Sequence, residues 1–398
     1  MMNYDSLLNK TALDIPPSGI RRFFDIAAEM DDVISLSVGE PDFPTPWHVR
    51  DVAIDSLQKG RTGYSPNKGF TALCREICNY YSRRFGLDYD FRTNAVVTVG
   101  GSEAIDLAIR TLVNPGDEVL VPQPSFVCYA PIARLAGAKA IPIVTRREDE
   151  FRLTAQALSR SITKRTKLLI LPYPNNPTGA VMRREHLEKI ADVLRDTNIM
   201  VLADEIYSEL TYNNIPHVSI ASLDGMKERT VVVNGFSKSY AMTGWRLGYA
   251  LGPEPVISIM TKVHQYAIMC APTTSQHAAM EALRAGDDDI VKMRDEYDMR
   301  RRLIVRGFRE LGLDCFEPEG AFYVFPSILS TGMSSEEFCE KLLREKHVAV
   351  VPGNAFGECG EGFIRVSYAY STAHINEALR RIGQFLKEEN IINETRND

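Results

Sequence analysis

Short aliphatic and β-branched runs alternate with longer stretches of helical periodicity through the middle of this chain. Seven runs predict strands, at residues 95–99, 118–121, 138–144, 167–171, 199–203, 230–234 and 247–251. Between the first two, Ile105, Ala108, Ile109 and Leu112 recur at the i, i+3, i+4, i+7 spacing of one helix face. Strands that alternate with helices in this way predict an α/β fold with a mostly parallel seven-stranded sheet, covered by helices on both faces. Ligands of such sheets bind beyond the carboxyl ends of the strands, so the residues just after each strand are where chemistry is expected.

The pattern changes after residue 286. Residues 287–311 predict one charged amphipathic helix, with Ile290, Met293, Tyr297, Ile304, Phe308 and Leu311 along one side. Its length suits a connector leaving the central sheet. Strands at 321–325, 348–351 and 363–367 then surround a helix near 335–346, which reads as a smaller α+β unit. A chain of 398 residues is long for a single core, and a large and a small domain are expected.

Composition removes several classes of function. Hydrophobic content of 44% and charged content of 25% are those of an ordinary globular enzyme. A net charge of −6 gives no reason to expect nucleic acid or an anionic membrane as a partner. No run approaches the roughly 18 apolar residues of a membrane span. Residues 1–9 lack the basic-then-apolar layout of a secretion signal, so a cytoplasmic location is expected. Seven scattered cysteines suit reduced thiols rather than a disulfide framework. Cys74 and Cys78 lie one helical turn apart, but no second pair follows at zinc spacing, and no metal is expected.

Candidate chemistry centres on Ser237-Lys238-Ser239-Tyr240-Ala241-Met242-Thr243-Gly244-Trp245-Arg246, just past the apolar run 231–233. A lysine at the mouth of a packed sheet is partly desolvated, so its amine can lose its proton and attack a carbonyl. Arg246 is suited to hold a phosphate. Gly100-Gly101-Ser102 joins a strand to a helix, where glycines allow close approach and free amides form an anion site. The turn lacks the Gly-Lys-Ser/Thr ending of a nucleotide loop and the spaced glycines of a dinucleotide fingerprint, which favours a small phosphate ester.

Three further groups follow strands or sit in one. Asp204 ends an apolar run, where a carboxylate needs a cation such as a protonated pyridine nitrogen; a local helix cap is the plainer alternative. Tyr207, three residues on, is placed to reach the same ligand. The loop Tyr173-Pro174-Asn175-Asn176-Pro177-Thr178-Gly179 holds Asn176 between prolines that stiffen its backbone. Arg365 lies inside the run Phe363-Ile364-Arg365-Val366-Ser367 and needs an anion, either a substrate carboxylate or an internal acidic partner.

Together these motifs, with Ser37-Val38-Gly39-Glu40-Pro41-Asp42 near the start, resemble the fold-type I, class I/II pyridoxal-phosphate aminotransferases (the aspartate and aromatic aminotransferase group) from Ser37 to Arg365. The resemblance implies a cofactor, pyridoxal 5′-phosphate, held covalently by Lys238, which also shuttles the substrate proton. It implies that Asp204 pairs with the pyridine nitrogen and that Asn176 and Tyr207 hydrogen-bond the phenolic oxygen. Phe126, in Pro124-Ser125-Phe126, would stack on the ring, where many relatives carry tryptophan or tyrosine. Gly101, Ser102, Ser237 and Arg246 would bind the phosphate. Tyr64, in Gly63-Tyr64-Ser65-Pro66, would reach the phosphate of a neighbouring subunit, so a homodimer with shared sites is implied. Arg365 would bind the substrate carboxylate, with the Gly39 backbone beside it. The implied domains are an N-terminal arm with part of the small domain (1–45), a large cofactor-binding domain (46–286) and a small C-terminal domain (287–398).

The activity so implied is ping-pong transfer of an amino group from an L-amino acid to a 2-oxo acid. Ile20, Tyr129 and the segment 265–270 are expected around the pocket, and their apolar and aromatic character favours an aromatic or broad neutral substrate. The segment Ala-Pro-Thr-Thr-Ser at 271–275 is also similar to relatives that act on aspartate or acylated diaminopimelate. Two alternatives use the same fold. A carbon–sulfur β-lyase would share the lysine and aspartate but eliminate rather than transfer. A non-enzymatic effector sensor would carry a DNA-binding segment ahead of the fold, and no helix-turn-helix pattern precedes Ser37.

Overall fold

A computed structural model describes residues 2, 4–17, 19, 26, 30–389 and 391. Its centre is a seven-stranded sheet built from β2 (Ala95–Thr98), β3 (Glu118–Gln123), β4 (Lys139–Val144), β5 (Thr166–Leu171), β6 (Met200–Asp204), β7 (Thr230–Gly235) and β8 (Gly248–Leu251). The spatial order is β2-β8-β7-β6-β5-β3-β4. The pairs among β3 to β7 are parallel, and β8 is antiparallel to both β2 and β7. All of β2, β7 and β8 is buried, because helices cover both faces, and such strands read as unbroken apolar runs. The helix Gly100–Leu112 buries Ala104, Ile105, Leu107, Ala108 and Ile109 against this sheet, the face its periodicity marks out.

The reversal of β8 sets where its first residues lie. Gly248 pairs with Thr98 on one side and with Gly235 on the other, so the start of β8 lies beside the carboxyl ends of its neighbours. Residues just before β8 therefore reach the same edge of the sheet as residues just after β2, β5, β6 and β7.

The helix Asp287–Glu310 leads to a second set of strands. There β11 (Val351–Pro352), β12 (Ile364–Ser367) and β9 (Tyr323–Val324) form an antiparallel sheet in that order. The expected strand at 348–351 divides in two. Its first half, β10 (Val348–Ala349), pairs in parallel with β1 (Ile34–Ser35), while β11 pairs with β12. Ile34 and Leu36 from near one end of the chain thus share a core with Val348, Val350, Val366 and Phe385 from the other. The segment after β1 is fixed from several sides: the Ser367 N–H donates to the Leu36 carbonyl at 2.8 Å, and Arg300 grips both oxygens of Asp42 at 2.8 Å. That anchoring brings Gly39 to the carboxyl edge of the large sheet. Among the described residues no helix is long and apolar enough to cross a membrane.

Candidate active site

Beyond that edge lies a cavity of about 320 Å³ whose wall includes Gly39, Gly101, Ser102, Phe126, Asn176, Asp204, Tyr207, Ser237, Lys238, Arg246 and Arg365. These are all the singled-out site residues except Tyr64. Sheet topology explains the convergence: Gly101 and Ser102 follow β2, Phe126 follows β3, Asn176 follows β5, Asp204 ends β6, Ser237 and Lys238 follow β7, and Arg246 precedes the reversed β8.

Lys238 is half-buried, and its Nζ donates to the Gly39 carbonyl at 2.6 Å. The Nζ also lies 5.9 Å from the Tyr207 ring centre and 5.6 Å from that of Phe322. Burial lowers its pKa from the ordinary lysine value to about 8, against an opposing pull from Glu40. Asp204 is buried, and burial raises its carboxyl pKa, offset in part by hydrogen bonds from the Tyr129 hydroxyl at 2.7 Å and the Ile206 N–H at 3.2 Å. The second of these closes a turn over residues 206–209; no helix starts there, so Asp204 is not the helix cap that the sequence also allowed. Tyr207 shares a 2.8 Å hydrogen bond with the hydroxyl of Tyr323, and burial raises its pKa.

Arg365 is 3% exposed on β12 and has no carboxylate within ion-pair distance among the described residues. Its Nη1 donates to the Asn176 side-chain oxygen at 3.1 Å and its Nη2 to the Ser37 carbonyl, while its Nε meets no partner. The guanidinium stands 4.7 Å from the Tyr323 ring centre and 4.9 Å from that of Phe356. Burial without a counter-charge lowers its pKa. An internal salt bridge is therefore not what holds this arginine, and a buried cation with an unmet donor calls for an anion from outside.

At the opposite wall, Gly100 has φ +73°, and a Cβ there would stand 2.6 Å from Arg246 Nη2. A Cβ on Gly248 would come within 2.5 Å of the Gly100 carbonyl carbon and the Gly101 nitrogen. Both glycines are required for the turn to sit this close to Arg246 and β8. Arg246, itself at φ +51°, donates from Nη1 to the Thr243 carbonyl at 3.0 Å.

Other expectations land elsewhere. Tyr64 is 84% exposed and is not part of the cavity wall within its own chain. Tyr129 does line the cavity, but residues 265–270 do not: Tyr266 is 84% exposed, and Ile268 and Met269 are also exposed, because they end the helix Glu254–Ala267 on its outer side. Ile20 lies outside the described residues. Sequence reasoning did not single out Tyr323, Thr243, Ile105 or Ile206, which also line the cavity. Tyr323 sits in a run expected as a strand, where an aromatic residue signals packing rather than a site. Tyr129 is an expected wall residue, yet nothing local indicates that its hydroxyl meets Asp204, 75 residues away.

Known proteins resemble this chain over most of its length. Residues 31–382 match the family model for aminotransferase class I and II. The chain is 51% identical to a putative aminotransferase, YugH, of Bacillus subtilis, over 96% of this chain and 98% of that protein. It is 44% identical to an aromatic-amino-acid aminotransferase of Thermococcus litoralis, over 95% of this chain and 98% of that one. Among solved structures, an aspartate aminotransferase from Thermus thermophilus with maleate superposes with a TM-score of 0.91 at 36% identity, covering 95% of this chain and 99% of that one.

Proposed function

The chain belongs to the class I and II aminotransferases, pyridoxal-phosphate enzymes of fold type I, and from that premise we propose that it transfers the amino group of neutral, chiefly aromatic, L-amino acids to a 2-oxo acid. The observation that carries the assignment of the site is the single cavity in which Lys238, Asp204, Arg246 and Arg365 face one another.

The residues present fit the cofactor. A buried carboxylate (Asp204), a half-buried amine (Lys238) and a glycine turn beside an arginine (Gly100, Gly101 and Arg246) answer a ring cation, an aldehyde and a phosphate respectively. When bound, pyridoxal phosphate supplies an aldehyde for amines to capture and a conjugated ring that takes up the electron pair left at the substrate Cα. Asp204 holds the proton on the pyridine nitrogen, and that cation is what favours the ionised form of a carboxylate otherwise disfavoured by burial. Lys238 would anchor the cofactor, and its amine would carry the proton away from the substrate Cα. Its lowered pKa of about 8 leaves part of the amine neutral near pH 7–8 and able to accept that proton.

Asn176 and Tyr207 orient the phenolic oxygen, and Phe126 covers the ring. Gly101, Ser102, Ser237 and Arg246 hold the phosphate. Arg365 takes the substrate α-carboxylate through two parallel hydrogen bonds, with Gly39 alongside and Asn176 keeping the guanidinium in plane. In this reading residues 46–286 bind the cofactor, while 287–398 and part of 1–45 form the small domain that carries Arg365.

Substrate choice rests on the rest of the wall. The described cations lining the cavity are Lys238, Arg246 and Arg365, each already assigned, and the remainder is largely Ile105, Phe126, Tyr129, Pro172, Pro174, Ile206 and Tyr323. An aromatic side chain gains from such a surface, whereas a second carboxylate loses its hydration there. In single half-reactions followed by the spectrum of the bound cofactor, phenylalanine and tyrosine are expected to exceed aspartate in kcat/KM by at least about tenfold, some 1.4 kcal/mol. Aspartate outrunning both would overturn the neutral-substrate reading, and pyruvate released from cystathionine without a 2-oxo acid acceptor would favour the lyase.

We also propose a homodimer with shared sites. The exposure of Tyr64 and its absence from the wall of its own cavity support a contact made to a second copy. Y64A and K238A subunits, each nearly inactive alone, should regain roughly a quarter of wild-type activity when unfolded and refolded together in equal amounts, because each mixed dimer holds one intact site. No recovery, with mixed dimers demonstrably formed, would place Tyr64 outside the neighbouring site. Free thiols at all seven cysteines support a cytoplasmic enzyme.

A further inference from the structure

We propose that Glu103 and His264 are a positioning pair that sets the turn Val99–Gly101 for phosphate binding, an inference resting on the phosphate role proposed above. Glu103 lies one turn into the helix Gly100–Leu112, and its Oε2 accepts the N–H of Val99, the residue just before the helix. Its Oε1 meets His264 Nδ1 at 2.7 Å. An ionised carboxylate can only accept, so Nδ1 is the donor. His264 is fully buried in the helix Glu254–Ala267 and does not line the cavity.

Two observations distinguish this pair from an ordinary helix cap. Capping needs only the carboxylate and the Val99 N–H. Here a buried imidazole is added, and its Nε2 meets no hydrogen-bond partner among the described residues. An apolar side chain would fill the same space without an unmet nitrogen, so packing does not account for a histidine at this position. Among the described residues its side chain's one polar contact is with Glu103, which it holds in a single orientation.

The turn itself has little other freedom. The Thr98 hydroxyl donates to the Gly100 carbonyl at 2.9 Å, and Gly248 packs directly beneath Gly100 and Gly101. The Val99 N–H bond to Glu103 completes the restraint and leaves the Gly101 and Ser102 amides free for an anion. A carboxylate this near a phosphate would repel it unless its charge is directed elsewhere. The histidine N–H draws that charge toward a side chain that is not part of the cavity wall.

The pair should therefore affect binding of the phosphate and not of the rest of the cofactor. Full-length protein freed of cofactor is titrated with pyridoxal phosphate and with pyridoxal, which lacks the phosphate. E103L is expected to weaken pyridoxal phosphate about tenfold and leave pyridoxal unchanged. E103Q, whose amide oxygen still accepts the Val99 N–H, should recover most of the loss. Should E103L not fold, H264L provides the second test, with an expected loss of about threefold confined to the phosphorylated ligand. Equal weakening of both ligands, or of neither, would overturn the proposal. A wild-type protein that binds the two ligands alike would instead overturn the phosphate assignment of Gly101, Ser102 and Arg246 on which the pair depends.

Discussion

Replacing Lys238 by alanine is expected to lower turnover at least about 10⁴-fold while leaving the cofactor able to bind non-covalently. The amine has two tasks in the proposed site, anchoring the aldehyde carbon and moving the Cα proton, and no other amine lines the cavity among the described residues. Phosphate, ring and carboxylate contacts come from other side chains, so affinity falls far less than rate. The wild-type protein should be yellow, and borohydride should fix the cofactor to the peptide carrying Lys238. A colourless protein that takes up no cofactor, or a K238A enzyme with undiminished turnover, would remove the lysine from the reaction.

The same lysine predicts a pH dependence. Its pKa is lowered by burial to about 8, so the neutral nucleophilic form becomes dominant above that pH. Capture of pyridoxal phosphate by the cofactor-free protein should accelerate as pH rises through about 8 and then level off. Stability follows the same sign. Between about pH 8 and the ordinary lysine value the unfolded chain binds more protons at this site, so raising the pH through that window favours the folded, cofactor-free state.

Asp204→Asn is expected to reduce kcat by about 10²–10³-fold, the scale of losing a buried charge aimed at charge developing in the reaction. Asparagine keeps the shape and an oxygen for the Tyr129 hydroxyl, but it does not hold a proton on the pyridine nitrogen. The cofactor-free variant should nonetheless melt at a higher temperature than cofactor-free wild type at neutral pH. Burial raises the Asp204 pKa, so the folded state binds more protons than the unfolded chain at this site. The resulting stability penalty grows as pH rises from the unfolded value through the folded one. Calorimetry of the two cofactor-free proteins, beside steady-state rates, measures both effects. A D204N protein that is less stable and fully active would show the carboxylate to be structural only.

The same opposition recurs at Arg365, where a buried guanidinium has no acidic partner and one unmet donor. Groups that weaken the empty fold are the ones assigned to ligand charges. That is the expected relation between stability and function in a preorganised site.

Much of this was legible from residue pattern. All seven strands of the large sheet lie within a residue or two of their apolar runs, because doubly covered strands need continuous hydrophobicity. The residues after those runs line one cavity, since parallel strands place their carboxyl ends on one edge. Where the pattern failed, the contacts were long-range. The run 348–351 is uniformly apolar, yet it splits between β1 and β12, and its own residues contain no record of that choice. Residues 265–270 are apolar and aromatic enough to resemble a pocket wall, but the direction of the preceding helix turns them outward.

The amino-acid order alone therefore determined the layered α/β architecture, the family resemblance and the identity of the charged groups at the strand ends. These follow from local periodicity and from motifs a few residues long. Only the tertiary structure decided how those groups are paired: Tyr129 with Asp204, Asn176 with Arg365, Gly39 with Lys238, and His264 with Glu103. Each pair joins residues at least 75 positions apart, brought together by the reversed strand β8, the crossover connections and the core that Ile34 and Leu36 share with residues 348–386. Hydrogen-bond partners and desolvation depend on that enclosure, and with them the proton affinities of Lys238, Asp204 and Arg365.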